Sequence, residues 1–334
     1  MSTGSTPQIT FSEPAVLIGR HSPKILIVLM PGVLMNAEKG YEPLIPAIME
    51  ACDTARFSAD IVYADYAVDQ VDYHELVAQV GYKFEEFGRD AQYQMVLPIG
   101  ASFSGLVVNA AYSALGHQPA KLATKPILID SPFGATFPGP TAVAARAMGL
   151  IRFPGTVADR LNKNTDRFTG SMNLPKNKNI ANTADFSSIT GGEATTYPDY
   201  VEWVKEKARD GLSGHKTTLF ASQVGAMSNF TFTPFPSGVT PIYLACTDAD
   251  VPDDWEDFSE SIDPKVTDKD GNVPVERPKN DTVAQPKAAD RWIEACRETG
   301  ITVLAVRSTH CGFMERPAAW KAAMKRAIKL ALER

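Results

Sequence analysis

Six short runs rich in Val, Ile and Leu recur along the chain and constrain its fold more than any other feature. They occupy residues 24–30, 59–66, 93–100, 125–132, 240–246 and 301–308. Continuous apolar runs of this length are typical of strands that are covered on both faces. Segments with apolar residues at helical spacing lie between them, at residues 41–55, 72–91, 103–116 and 316–334. Strands that alternate with helices predict an α/β fold with a mostly parallel sheet flanked by helices.

Two segments interrupt this alternation. Residues 133–237 contain no clear strand, although they include helical patterns at 141–151 and 197–211. Residues 253–286 hold ten acidic and four basic residues, a balance of -6. The whole chain, with 39 acidic and 33 basic residues, has the same net charge of -6, so the rest of it is formally neutral. Within the acidic segment, an Asp-Gly turn between β-prone runs predicts a small hairpin at 265–275.

The composition excludes several classes of protein. A net negative chain has no electrostatic footprint for nucleic acid. The first residues lack the basic-then-apolar pattern of a signal peptide, and the longest apolar run, at 25–31, is far too short to span a bilayer. Four widely spaced cysteines without a CxxC pair are expected to be free thiols. We therefore expect a soluble, cytoplasmic protein with no nucleic acid partner and no membrane span, and the sequence leaves its oligomeric state open.

The third apolar run leads directly into the sequence GASFSG at residues 100–105 and then into a helical pattern. A turn this tight needs small residues two before and two after the serine, and Gly100 and Ser104 occupy those places. The turn would present the Ser102 hydroxyl at the end of a strand, beside helix amides that stabilise negative charge. This arrangement resembles the nucleophile elbow of the α/β-hydrolase superfamily, G-x-S-x-G, with Ser104 in place of the last glycine.

The resemblance implies a histidine after the last strand as the base for Ser102. His310 follows the run at 301–308 and precedes Glu-Arg-Pro at 315–317, which is similar to the closing motif of the superfamily. His215 also follows Ser102 in the chain, but no strand precedes it. We interpret His215 as a cation at a helix end.

The same resemblance places the acid of the triad after the strand before the last one. Asp248 stands there in the sequence Asp-x-x-x-Pro, with Val251 before the proline, and this is similar to the acid loop of the superfamily. Asp250, two residues further on, is an alternative. Asp130, after the run at 125–132, is a third candidate because some members place their acid there. A hydrogen-bonding role in a strand-end turn is the preferred interpretation of Asp130.

Two backbone amides are expected to form the oxyanion hole. One belongs to Phe103, which directly follows the nucleophile. The other lies in the sequence Pro31-Gly32-Val33-Leu34, after the first apolar run, where many members of the superfamily begin with His-Gly. The position favours the Val33 amide, with the Leu34 amide as an alternative. Gly32 keeps the backbone freedom that a close approach requires.

The resemblance implies a catalytic domain of residues 1–132 and 238–334, a mainly helical cap at 133–237, and an acidic insertion at 253–286. Caps cover the active site and shape its pocket, so substrate choice is expected to depend on this segment. The predicted substrate contacts are Leu34, Phe137, Met148 and Cys311.

The expected activity is that of a serine hydrolase that cleaves a carboxylic ester or related small acyl compound. Its triad would be Ser102, Asp248 and His310, with no cofactor and no metal. The same triad serves thioesterases, amidases and peptidases, lactonases, C–C bond hydrolases and acyl-transferring or cyclising enzymes, so these activities stay open. A serine argues against haloalkane dehalogenases and epoxide hydrolases of this fold, which use aspartate as nucleophile. A ligand-binding protein on the same fold is the alternative from a different class.

Overall fold

The computed structural model describes residues 6–33, 35–115, 121–134, 217–247, 251–258, 288–307 and 317–333, together with residues 193 and 199. Within these ranges the strands are β1 (Ile9–Phe11), β2 (Ala15–Ile18), β3 (Lys24–Met30), β4 (Ser58–Tyr66), β5 (Met95–Ala101), β6 (Ile127–Ile129), β7 (Ile242–Thr247), β8 (Glu256–Asp257) and β9 (Thr302–Arg307). The helices are α1 (Ala37–Tyr41), α2 (Ile45–Thr54), α3 (Tyr73–Arg89), α4 (Phe103–Ala114), α5 (Thr217–Ser228), α6 (Ala288–Ala295) and α7 (Pro317–Leu332), and a 3-10 turn at Glu42–Leu44 joins α1 to α2.

These strands form one sheet in the order β1-β4-β3-β5-β6-β7-β9-β8, and β2 also pairs with β4. The pairs from β4 across to β8 are parallel, whereas β1 and β2 run antiparallel to β4. The prediction of an α/β fold with a mostly parallel sheet flanked by helices is therefore confirmed.

The sheet buries an apolar layer on each face, and β3 shows why its sequence does not alternate. Leu26 and Val28 pack in the layer that contains side chains of α3, α4, α5 and α6. Ile25 and Ile27 pack in the other layer, with α1, α2 and α7. All four side chains are fully buried. A strand covered on both faces needs apolar residues at every position, which is the pattern the sequence has.

The structure shortens two of the predicted elements. The run at 125–132 contributes only the short strand β6 because the chain turns at Asp130, whose φ is 44°. The helical pattern at 41–55 becomes a 3-10 turn followed by α2, and each of the two begins next to a proline, Pro43 and Pro46. Proline favours the first turn of a helix because it has no amide to donate, so it marks a new start.

Helix α3 begins where its sequence predicts. Asp72 is its N-cap, and the side chain of Asp72 accepts a hydrogen bond of 3.2 Å from the Glu75 amide. Such a cap satisfies one of the amides that a helix start leaves without a partner.

Six elements were not predicted, namely β1, β2, β8, α1, α5 and α6. Strand β8 has two residues and lies at the start of the segment predicted as an acidic insertion. Helix α5 lies within the range predicted as the cap, yet Val224 and Met227 are buried in the same layer as α3 and α4. The helices predicted at 141–151 and 197–211, apart from residue 199, and the hairpin at 265–275 lie outside the described residues.

Two charged clusters lie at the amino-terminal edge of the parallel strands. Asp60 is only 4% exposed, and its Oδ2 atom lies 2.6 Å from Lys24 Nζ and accepts a 2.8 Å hydrogen bond from the Tyr93 hydroxyl. This cluster ties β3 and β4 to the start of β5.

The second cluster is exposed and joins α2 to the chain before β3. Arg20 donates two hydrogen bonds to the Asp53 carboxylate, and His21 Nε2 lies 2.7 Å from Asp53 Oδ1. The hydrogen bonds from Arg20, and then the one from His21, lower the pKa of Asp53 to about 2. The native state is therefore stabilised by the charged form of this carboxylate.

Among the residues that the structure describes, no helix has both the length and the apolar content needed to cross a bilayer. In the same ranges, no group of three or more His, Cys, Asp or Glu side chains is arranged to hold a metal ion.

Candidate active site

The centre of the site lies where the sheet changes its winding direction. Strand β3 pairs with β4 on one side and with β5 on the other, and Met30 at its end is aligned with Gly100 in β5. After β3 the chain moves outward to β4, and then it returns across β3 to form β5. The loops that leave β3 and β5 consequently diverge, and open α/β sheets bind their ligands in the crevice at such a point.

Ser102 occupies the sharp turn between β5 and α4. Its φ of 49° and ψ of -119° lie in a region that favours glycine, and the residue is 6% exposed. A residue held in such a conformation stores on the order of 1–3 kcal/mol of strain. The Ser102 amide donates a 2.7 Å hydrogen bond to the Ile129 carbonyl of β6, and this bond holds the turn against the sheet.

Glycines on either side of Ser102 allow the turn to be this tight. A Cβ atom on Gly100 would lie 2.7 Å from the carbonyl oxygen of Ser104 and 2.9 Å from the amide nitrogen of Gly105. A Cβ atom on Gly105 would lie 1.7 Å from Ser131 Oγ in the segment after β6. The sequence predicted that the chain two residues before and two residues after the serine comes close to its neighbours and needs small residues there. The structure has the first at Gly100, whereas the second falls on Gly105, next to the small and fully buried Ser104.

The predicted oxyanion loop lies next to Ser102, the predicted nucleophile. A Cβ atom on Gly32 would lie 3.2 Å from Ser102 Cβ, so only glycine fits here without displacing a neighbour. No described residue accepts a hydrogen bond from the amide of Val33. Phe103 is the first residue of α4, and the first amides of a helix have no carbonyl within the helix to donate to. Of the two predicted oxyanion donors, Phe103 directly follows Ser102 and Val33 follows Gly32, while the alternative donor, Leu34, lies outside the described residues.

Ser104, which stands where the superfamily motif has glycine, bonds to the oxyanion loop. Its hydroxyl donates to the carbonyl oxygen of Pro31. Tyr66, the last residue of β4, donates a 3.1 Å hydrogen bond to the same carbonyl, and its hydroxyl lies 2.8 Å from Ser104 Oγ. Burial raises the pKa of Tyr66 well above its usual value. Sequence reasoning missed Tyr66, for which the only signal is a polar aromatic residue at the end of a strand next to β3.

Two tyrosines flank the ring of Phe103. The ring centroids of Tyr66 and Tyr73 lie 6.0 Å and 6.1 Å from that of Phe103. The Tyr73 hydroxyl donates a 3.2 Å hydrogen bond to the carbonyl of Leu106 within α4. Phe103 itself is fully buried, so its backbone is fixed by packing as well as by the helix.

Asp130 lies at the carboxyl end of β6, in a turn that is held from several directions. Its φ is 44°, it is 5% exposed, and its amide donates a 2.7 Å hydrogen bond to the Leu244 carbonyl. Cys246 Sγ donates to Asp130 Oδ1 over 2.8 Å. The next carbonyl, that of Ser131, accepts hydrogen bonds from Tyr243 and Trp292. Asp130 is therefore a hydrogen-bonded residue of a strand-end turn, and it lies at the same carboxyl edge of the sheet as Ser102.

The other predicted site residues lie outside the described residues: Asp248, Asp250, His310, Cys311, Phe137 and Met148. The strands that lead to two of them are described. Thr247 ends β7 and is aligned with Arg307 at the end of β9. Asp248 directly follows the first, and His310 comes three residues after the second. The carboxyl ends of parallel strands share one edge of a sheet, so both segments leave the sheet at the edge where Ser102 lies.

Comparisons with known proteins bear on the fold. No protein-family model matches the sequence, and no curated protein matches it. The structure is similar to that of an enol-lactonase from Burkholderia xenovorans LB400, with a TM-score of 0.55 and 14% sequence identity over 96% of this chain and 95% of that chain. It is also similar to a hydrolase from Pseudomonas aeruginosa PA01, with a TM-score of 0.51 and 13% identity over 96% of this chain and 92% of that one. From these similarities and the sheet topology, the chain has the α/β-hydrolase fold.

Proposed function

We propose that the protein is a serine hydrolase that cleaves a carboxylic ester or a related acyl substrate. The observation that carries this proposal is the conformation of Ser102. The residue is strained, lies at the tip of a strand-to-helix turn and is so near Gly32 that a Cβ atom there would be 3.2 Å from Ser102 Cβ. A serine in an ordinary turn needs neither the strain nor the two close glycines. Both serve a hydroxyl that must be presented at the crevice of the sheet.

In the proposed mechanism His310 takes the proton of Ser102, whose oxygen attacks the carbonyl carbon of the substrate. The amides of Val33 and Phe103 donate to the oxyanion that forms, and each such donor contributes about 3–4 kcal/mol to stabilising the transition state. Asp248 holds His310 in the tautomer that accepts the serine proton. His310 then returns the proton to the leaving group and activates the water that cleaves the acyl-enzyme.

The position of α4 supports the electrostatic part of this mechanism. Phe103 begins the helix directly after Ser102, and the amide end of a helix carries a partial positive charge. No acidic residue stands in the first turn of α4 to offset that charge. A negative charge on the oxyanion is therefore stabilised by the helix as well as by individual amides.

A fluorophosphonate probe tests the proposal, because it phosphonylates a serine, with loss of fluoride, only when that serine is activated. We expect labelling of the wild-type protein at Ser102 and none in Ser102→Ala. Ser113→Ala, which removes a serine from the same helix three turns away, is the matched control and should be labelled like the wild type. Hydrolysis of short p-nitrophenyl esters should disappear in Ser102→Ala alone. Folded wild-type protein that is not labelled at Ser102 would contradict the proposal and favour a ligand-binding protein on this fold.

A further inference from the structure

The departure from the superfamily motif at residue 104 has a partner 73 residues away in the chain. The Ser104 hydroxyl, fully buried, donates to the Pro31 carbonyl, and the Tyr66 hydroxyl donates to it as well. A carbonyl oxygen has two lone pairs and no proton, so it accepts both bonds at once. The glycine of the usual motif has no side chain with which to make the first of them.

Fixing this carbonyl also fixes the plane of the peptide that joins Pro31 to Gly32, since the peptide bond does not rotate. Gly32 lies so near the serine that a Cβ atom on it would be 3.2 Å from Ser102 Cβ, and without that atom it has wide conformational freedom. Two long contacts between Gly32 and Met35 also brace the loop. The Met35 amide donates to the Gly32 carbonyl over 3.4 Å, and the Gly32 amide donates to Met35 Sδ over 3.4 Å. The orientation of the Val33 amide therefore depends on how firmly the preceding peptide is held.

We propose that Ser104 and Tyr66 are positioning residues that hold the Pro31 to Val33 loop in the orientation that directs the Val33 amide at the oxyanion. This inference rests on the proposed serine hydrolase function. Each hydroxyl partly compensates for loss of the other, because removal of either still leaves one donor on the Pro31 carbonyl. Loss of both removes the two hydroxyl donors from the Pro31 carbonyl and leaves the long contacts between Gly32 and Met35 to hold the loop.

The pair remains effective over a wide range of pH. Burial raises the pKa of Tyr66 well above 10, so its hydroxyl keeps its proton and remains a donor. Ser104 does not titrate in water. The positioning effect is consequently expected to change the height of a pH–activity profile without moving its inflections.

The test compares Ser104→Ala, Tyr66→Phe and the double variant with Tyr73→Phe as matched control. Tyr73 packs on the same Phe103 ring as Tyr66, but its hydroxyl donates to Leu106 in α4 and not to the loop. Each variant is assayed for kcat and KM with a p-nitrophenyl ester and for affinity to phenylboronic acid. The boron atom of this probe accepts the Ser102 oxygen and becomes a tetrahedral anion that places an oxygen in the oxyanion hole.

We expect kcat to fall about threefold in each single variant and about thirtyfold in the double variant, with KM within about twofold of wild type, as for loss of an interaction made in the transition state. The double loss exceeds the product of the single losses, which identifies two donors that act on one acceptor. Affinity for phenylboronic acid should fall by the same factors as kcat, and Tyr73→Phe should behave like the wild type.

Three results would overturn the inference: a folded double variant with kcat within twofold of wild type, an equal loss in Tyr73→Phe, or a loss carried by KM with unchanged affinity for phenylboronic acid. Thermal melting checks that each variant is folded. If the double variant does not fold, Ser104→Gly and Tyr66→Phe decide, and unchanged kcat in both overturns the inference. Ser102→Ala separates the two proposals. Full activity in Ser102→Ala refutes the hydrolase mechanism itself. An inactive Ser102→Ala together with a fully active double variant refutes only the positioning role of Ser104 and Tyr66.

Discussion

Replacement of Gly100 by alanine places a methyl group where α4 begins. The new Cβ atom would lie 2.7 Å from the carbonyl oxygen and 2.8 Å from the carbonyl carbon of Ser104. Both are backbone atoms, so no side chain can rotate to make room. Carbon atoms pack at about 3.5 Å or more, so the first turn of α4 must move away from β5 by roughly 0.7 Å.

This displacement has a cost in stability and a larger one in activity. Overpacking of a buried site destabilises proteins by about 1–3 kcal/mol. The turn that moves carries Ser102 and the Phe103 amide, and misplacement by about 1 Å reduces rates by up to about a hundredfold. We therefore expect kcat to fall at least about tenfold in Gly100→Ala, while the protein stays folded.

Gly81→Ala is the matched control, since it adds the same methyl group inside α3. There the nearest atom would be Leu115 Cδ2 at 3.8 Å, an ordinary contact, and alanine is the better helix former by about 0.5–1 kcal/mol. Urea unfolding and p-nitrophenyl ester kinetics of both variants check the prediction. Equal stability and equal kcat in Gly100→Ala and Gly81→Ala would refute the reasoning that the close approach of β5 to α4 fixes the nucleophile.

Three further predictions concern carboxylates. Asp248→Asn should lower kcat by about 10⁴-fold, as loss of the acid does in other triads, and Asp130→Asn should retain most activity; the reverse order in ester kinetics would make Asp130 the acid. Asp60→Ala leaves a buried cluster incomplete and should lower the free energy of unfolding by about 3 kcal/mol in urea titrations, less than a fully buried pair because Lys24 is partly exposed. The pKa of Asp53 is lowered to about 2, so the stability it contributes is present above its ordinary pKa and is lost as the pH falls through 2. Asp53→Asn should therefore be less stable than wild type at pH 5, with the difference narrowing towards pH 2, and a difference that grows on acidification would contradict this sign.

The sequence predicted the sheet because its central strands carry the signal in their own residues. Every position of β3 after Lys24 is buried, so the run is apolar throughout. The turn at Ser102 was predicted for the same reason, because Gly100, two residues before the serine, indicates how tight the turn is. In both cases the constraint and the residues that meet it are local in the chain.

What could not be predicted depends on residues that meet only in the folded protein. Ser104 and Tyr66 are 38 residues apart, and nothing in either segment indicates that both hydroxyls reach Pro31. Strand β8 consists of Glu256 and Asp257, and it exists because it lies along β9 and because Arg326 of α7 holds Glu256 with paired hydrogen bonds. Its acidic composition predicted a solvated segment, and the pairing with β9 overrode that preference.

The end of β6 shows how the same edge of the sheet supports strain and site together. Ser102 and Asp130 both have positive φ, and they follow the adjacent strands β5 and β6. In each case the amide of the strained residue continues the hydrogen bonding of the sheet, from Ser102 to Ile129 and from Asp130 to Leu244. These bonds hold the chain in place at the position where it leaves the strand, so the strain is confined to one residue. An apolar run does not reveal that its strand ends at a strained, hydrogen-bonded residue, so the run at 125–132 predicts a longer strand than the sheet contains. The turns that end β5 and β6 in this way place a serine and a carboxylate next to each other at the crevice.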